Sequence, residues 1–177
     1  VKNSAGLQKM KPSGKVNAEF SVSGNIKDLK ACAMRIRIKS GDISIYGFRQ
    51  TGLIMDYAQQ GGLGQIKSLR SLFYGGSLYA SGKVDWRAKA LPYSFSVDVK
   101  DVKLERLKRD TGFRDKDASG TMKALANVSG TFKDTTRLSG NGRVSIANGR
   151  LWQLNLFKGI GSLIFTSDFG DIVFTEG

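Results

Sequence analysis

The chain has 177 residues, enough for one domain with a sizeable buried interior and short for two. It holds no His and a single Cys, Cys32, which removes the usual general base, the Ser-His and Cys-His pairs, any internal disulfide and the commonest zinc ligand. A net charge of +13, from 28 Lys plus Arg against 15 Asp plus Glu, brings a polyanionic partner such as nucleic acid, anionic headgroups or an acidic surface into consideration beside a plain solvated outer face.

Gly at 22 residues and Pro at 2 suit many strands joined by tight turns. In chain order, the first strand signal puts Val16, Ala18, Phe20 and Val22 on one face and Lys15, Asn17, Glu19 and Ser21 on the other. The next, "MRIRIK", sets Met34, Ile36 and Ile38 against Arg35, Arg37 and Lys39, so its cations share the polar face. Cys32 continues the apolar series and reads as a small buried hydrophobe. Farther on, Leu78, Ala80, Gly82, Val84 and Trp86 alternate with Ser77, Tyr79, Ser81, Lys83 and Asp85. Tyr93, Phe95, Val97 and Val99 alternate with Ser94, Ser96, Asp98 and Lys100. One greasy face and one wet face per strand is the pattern of an antiparallel meander.

Ser-Gly, Gly-Gly and Asn-Gly pairs punctuate these runs as turn signals. Gly82, Gly140 and Gly142 fall where alternation calls for a facing side chain, which predicts bulges or tight curvature there. Two segments break the alternation. Residues 102–112, "VKLERLKRDTG", have the spacing of a short amphipathic helix ending at Gly112, and residues 151–164 read either as a short apolar helix or as a continuous strand. No run approaches the roughly 20 apolar residues that span a bilayer.

The phrase "SGKVNAEFSVSGNIKD" at 13–28 returns as "SGTMKALANVSGTFKD" at 119–134, an offset of 106. Beyond it Ile38 matches Ile146 and Gly41 matches Gly149, which implies a two-residue insertion in the second copy. The repeat carries the apolar face onto Met122, Ala124, Val128, Val144 and Ile146. The expected organisation is a single β-groove segment, 1–177, excerpted from a longer chain, with internal repeats over about 13–56 and 119–177. Such modules cannot bury an apolar face alone and stack instead.

Catalytic motifs are weak. Asp168 and Asp171 pair near an apolar run but read as a solvated turn, the "DFG" there lacks every other kinase element, and "GGLG" at 61–64 lacks the Lys and Ser or Thr of a phosphate cradle. Tyr46, Phe48, Tyr74, Tyr79 and Trp152 are aromatic candidates for stacking bases, yet no recognition helix or aromatic octamer accompanies them, so nucleic acid is not the expected partner. No enzyme activity, cofactor or metal is expected.

The second half resembles the C-terminal domain of the AsmA-like family, the AsmA, TamB and YhdP superfamily. The features that carry the resemblance are the small-Gly-x-Gly at Ser139–Gly142, the strand at Val144–Ile146 and Asn148–Gly149. The aliphatic-aromatic run Leu151–Ile164 and the strand Ile172–Thr175 follow in the family's order. The hairpin with Tyr74, Gly75, Gly76, Gly82 and Asp85 is similar too. The resemblance implies a periplasmic protein of a diderm bacterium, tethered to the inner membrane by a segment outside this sequence and engaged in lipid transport to the outer membrane. It implies no catalytic residue.

The expected fold is therefore all-β and mainly antiparallel: a strongly curved, groove-like repeating sheet with one or two short helices. The expected lining is Val16, Ala18, Phe20, Val22, Met34, Ile36, Ile38, Leu78, Ala80, Val84, Trp86, Phe95, Val97, Met122, Ala124, Val128, Val144 and Ile146, with phospholipid or another acyl lipid as ligand. Arg35, Arg37 and Lys39 are the expected contacts to anionic headgroups. About ten strands at about 4.8 Å would make a trough about 45 Å long. Moving an acyl chain of about 14 carbons into water costs on the order of 10 kcal/mol, which a greasy trough largely removes. The alternative is a closed, protein-filled core serving as an assembly scaffold for outer-membrane biogenesis with envelope protein partners.

Overall fold

A computed structural model describes residues 13–25, 27–28, 30–45, 47–110, 118–134 and 138–149. Nine strands form one antiparallel sheet: β1 Ser13–Gly14, β2 Asn17–Ser23, β3 Ala33–Ile45, β4 Phe48–Gln60, β5 Leu63–Phe73, β6 Gly76–Asp85, β7 Pro92–Lys103, β8 Thr121–Thr131 and β9 Ser139–Ala147. From β3 to β9 each strand pairs with the next in sequence, and β1 and β2 share the outer edge of β3. The sheet is curled and open, so the expected all-β, groove-like class is what the chain adopts. The described residues give it eight strand positions, β1 and β2 sharing one, a width of about 34 Å; the strand expected at 172–175 lies outside the described residues.

Hairpin turns follow local chemistry. Gly61 and Gly62 (φ 54° and 76°) join β4 to β5, and Tyr74 and Gly75 (φ 47° and 86°) join β5 to β6. Consecutive positive φ is the primed turn whose twist matches that of the strands. Several other Gly-containing pairs lie inside strands, among them those at 40–41, 129–130 and 139–142. Gly140 and Gly142 do not mark bulges: they pair in register with Val128 and Ala126. Gly82 pairs in register with Phe95 on its β7 side, but on its β5 side it pairs with Ile66 and borders the register shift between Ile66 and Leu69, and a side chain there would collide with the Phe95 ring. The other register shifts fall between Thr51 and Ile54, Asp56 and Tyr57, and Val99 and Val102.

The repeated phrase lies in the two outermost hairpins of the described sheet. Val22 pairs with Met34 and Ala18 with Ile38; the positions 106 residues on, Val128 with Gly140 and Ala124 with Val144, pair identically. The offset is thus constant through both strands, and no two-residue insertion separates them. Matching Ile38 to Ile146 slides the comparison by two residues, which preserves facing and so disguises itself in the sequence.

The helix expected at 102–112 is shorter: one turn, α1 (Leu104–Leu107), followed by the 3-10 turn Lys108–Asp110. Four residues cannot hold a helix by themselves. This turn is held by Leu104 and Leu107, which are buried with Phe73, Val99, Val102 and Met122. Its entry is fixed by Leu104 N–H donating to Gly120 O at 3.0 Å and by Gly120 N–H donating to the Glu105 carboxylate at 2.9 Å. That second bond holds the Glu105 carboxyl below its ordinary range. Tyr46, Gly112, Trp152, the run 151–164, Asp168, Asp171 and the strand expected at 172–175 lie outside the described residues.

Candidate functional site

Residues paired across an antiparallel ladder point to the same face. The pairings chain into rows that cross the sheet. Ala18, Ile38, Met55, Leu69, Ala80, Val97, Ala126 and Gly142 form one unbroken row from β2 to β9. A second runs Phe20, Ile36, Tyr57, Ile66, Gly82, Phe95, Val128 and Gly140. Beyond it lies a third row with Val22, Met34, Gln59, Gly64, Val84 and Tyr93. Toward α1, Leu78, Val99, Ala124 and Val144 make a fourth, and Val102, Met122 and Ile146 a fifth.

Every expected lining residue within a strand falls on this one face. Val16 sits instead in the interruption between β1 and β2, half exposed at 49%, and Trp86 follows the end of β6. Arg35, Arg37 and Lys39 lie on the opposite face, in rows with Gln65 and Lys83, with Asp56, and with Arg70.

The apolar face is treated differently along its length. At one end α1 and the 3-10 turn close over it, and Val102 has no exposure at all. Tyr74 locks this closure: its hydroxyl accepts from the Arg49 N–H at 2.9 Å and donates to the Asp110 carboxylate at 2.9 Å, while its ring meets Phe73 edge-on at 4.7 Å. Burial, reinforced by Asp110 and opposed by the Arg49 N–H, pushes the Tyr74 hydroxyl up to about 12.

At the other end a polar chain spans the face. Trp86 Nε1 donates to Tyr57 OH at 3.1 Å, Tyr57 OH donates to Gln59 Oε1 at 2.9 Å, and Gln59 Nε2 donates to the carbonyls of Lys30 and Cys32. Cys32 is itself buried, its thiol donating to Asn25 O at 3.2 Å.

Between these ends, Ile36, Ile38, Met55, Leu69 and Val97 are neither fully buried nor exposed, because the curl of the sheet presses neighbouring rows together. Among the described residues, α1 and the 3-10 turn are the only helical elements, and no strand lies off the sheet. Small residues thin the lining over β6, β8 and β9, with Ala80, Gly82, Ala124 and Ala126 beside Gly140 and Gly142. The result is an apolar trough that crosses the strands, walled on one side by α1 and shallow where glycine and alanine replace larger side chains.

Two open depressions, about 520 and 860 Å³, lie elsewhere. The first is bordered by Ser81, Lys83, Ser94, Ser96, Asn127 and Asn141, the polar side of β6 to β9; the second lies near Arg49 and Asp110. Neither is an enclosed apolar pocket for a small molecule. An open trough has no lid to define a cavity, so the face and not a hole is the candidate site.

On the opposite face Arg37 Nε binds Asp56 at 2.7 Å, which lowers the Asp56 carboxyl and raises Arg37. Lys39 lies 3.9 Å from Glu19. Arg35 makes no ion pair among the described residues. Two of the three expected headgroup cations are therefore partly neutralised within the sheet.

Sequence reading missed Met55, Tyr57, Ile66 and Leu69, which complete the middle of the trough. The bulge that leaves Lys67 unpaired puts Ile66 and Leu69 three apart, a helical spacing, although both face inward. A family model described as AsmA family matches residues 17–172. No curated protein and no solved structure matches the chain.

Proposed function

This chain belongs to the AsmA family, and on that premise we propose that it is a non-enzymatic segment that shields the acyl chains of phospholipid or a similar lipid in the envelope of a diderm bacterium. Family membership supports the coarser reading, an envelope role in lipid transport or assembly. The single observation that carries the finer one is the unbroken apolar row from Ala18 to Gly142, crossing all eight strand positions with no described element packed over its centre.

Such a row offers hydrocarbon a continuous surface in place of water. Adjacent positions in this row differ by at most three side-chain carbons, as Ala18 does from Ile38 and Leu69 from Ala80. At about 0.8 kcal/mol per methylene the largest step is about 2.4 kcal/mol, small against the cost of leaving the trough, on the order of 10 kcal/mol, so a lipid slides without chemistry. Direction must then come from the ends. The closure by α1 on one side and the Trp86, Tyr57 and Gln59 chain on the other confine acyl chains to travel across the strands, from the β2 edge to the β9 edge. The location in the periplasm and the inner-membrane tether belong to the same proposal.

Photo-crosslinking tests the reading. A benzophenone residue at Ile38, facing the trough, is expected to capture phospholipid in bacterial envelopes, and one at Lys27, exposed in the connection between β2 and β3 and away from both faces' central rows, is not. Equal capture at both, or capture at neither, would overturn it.

A further inference from the structure

The face expected to be wet is not uniformly polar. Its central row reads Lys39, Ile54, Arg70, Tyr79, Asp98, Leu125 and Arg143. Tyr79 and Leu125 in this row are 48% and 45% exposed, and Leu72, two residues along β5 from Arg70, is 61% exposed. Large apolar side chains held in solvent within a strongly basic row need an explanation that a solvated face does not provide.

We propose that this outer row is a second lipid-directed surface, which rests on an anionic bilayer while the trough on the opposite face carries acyl chains. Interfacial binding needs apolar side chains that enter the headgroup layer and cations beside them that meet phosphate. Both are present at register spacing. Arg70 stands directly between Ile54 and Tyr79, Arg143 is paired with Leu125, and Lys100 lies over the Tyr79 ring with its ammonium 5.8 Å from the centroid.

The charge decides the class of partner. Arg70 and Arg143 make no ion pair among the described residues, whereas the one acidic residue in the row, Asp98, is held by Lys100 at 3.1 Å. The row therefore presents net positive charge with exposed hydrocarbon, in a chain of net charge +13. An acidic protein would meet the cations but leave Leu72 and Leu125 without a fluid apolar medium. A bilayer rich in phosphatidylglycerol satisfies both. The proposal does not depend on the trough being occupied.

Sedimentation of the full protein with vesicles tests it. Vesicles containing phosphatidylglycerol are expected to bind it, and purely phosphatidylcholine vesicles to bind it far less. Arg70→Gln with Arg143→Gln is expected to weaken binding by about fivefold per cation removed. The combined Leu72→Ser, Tyr79→Ser, Leu125→Ser variant is expected to lose roughly tenfold or more. A nitrobenzoxadiazole dye at Leu125→Cys should shift to the blue with anionic vesicles, and one at Lys27→Cys, remote from the row, should not. All these sites are exposed, so the circular dichroism of the sheet should persist.

Equal binding to both vesicle types, unchanged binding by either variant, or retention of an envelope protein with no vesicle binding would overturn the proposal. Native mass spectrometry separates it from the trough: lipid retained by the outer-face variants leaves the trough reading intact. Loss of trough lipid with vesicle binding preserved strikes that reading and leaves this one standing.

Discussion

Replacing Ala80 by Phe asks whether the trough is open or filled. Ala80 lies at the middle of the central row, paired with Leu69 on one side and Val97 on the other. If the trough is open, the added ring lies along the sheet in space that hydrocarbon would use. Phe suits a strand better than Ala, and an aromatic next to β-branched Val97 contributes roughly 0.2–1 kcal/mol, so stability should hold or rise slightly. If protein atoms filled that space, the same ring would overpack a core at a cost of about 1–3 kcal/mol. For a chain of this size that is a fall in Tm of about 2–12 °C.

The lipid responds in the opposite sense. A ring that displaces two or three methylenes from contact removes about 2 kcal/mol of hydrophobic stabilisation, an occupancy drop of roughly 30-fold at that point of the trough. Urea unfolding followed by circular dichroism measures the first quantity, and native mass spectrometry of protein purified from bacterial envelopes measures the second. The expected pair is unchanged stability with reduced lipid. Lost stability with unchanged lipid would refute the open trough and favour a filled scaffold.

Leu107→Ala, at the last residue of α1 and 3% exposed, should cost about 2–5 kcal/mol in urea unfolding; a change under 1 kcal/mol would show that the helical turn is not part of the core. Gly82→Val should destabilise the β6–β7 pairing by about 1–3 kcal/mol because its side chain meets the Phe95 ring, and combining it with Phe95→Ala should recover part of that loss. The Tyr74 hydroxyl, pushed up from 10.0 to about 12, is a group whose neutral form the fold favours. Its contribution is fully present below pH 10 and is lost as pH rises toward 12, so alkaline unfolding over that window should flatten in Tyr74→Phe. An unchanged alkaline transition in that variant would assign the pH dependence elsewhere.

The facing of most strands was legible because alternation is a local property. Ile36 and Arg37 separate to opposite faces whatever the sheet does, and the same holds for Ala80 and Ser81. Strands β4 and β5 were harder. The shift near Gly52 and Leu53 leaves Leu53, Ile54 and Met55 as an uninterrupted apolar run, although Ile54 pairs with Lys39 on the outer face and Met55 with Ile38 on the inner. The shift at Lys67 has the same effect on Ile66 and Leu69. A bulge adds a residue without adding a change of face, so it breaks the period that sequence reading depends on.

The sequence by itself determined the all-β class, the two faces of each unbroken strand and the recurrence of one hairpin, since all three follow from the order of side chains along a pleated backbone. Only the tertiary structure decided which residues of different strands share a row, that the recurring hairpins lie at opposite edges of the described sheet, and that α1 walls one side while Ile54, Tyr79 and Leu125 stand among cations outside. Those outcomes depend on register between strands far apart in the chain. Register is set by the packing of whole faces and by where bulges interrupt them, and no local run of residues contains it.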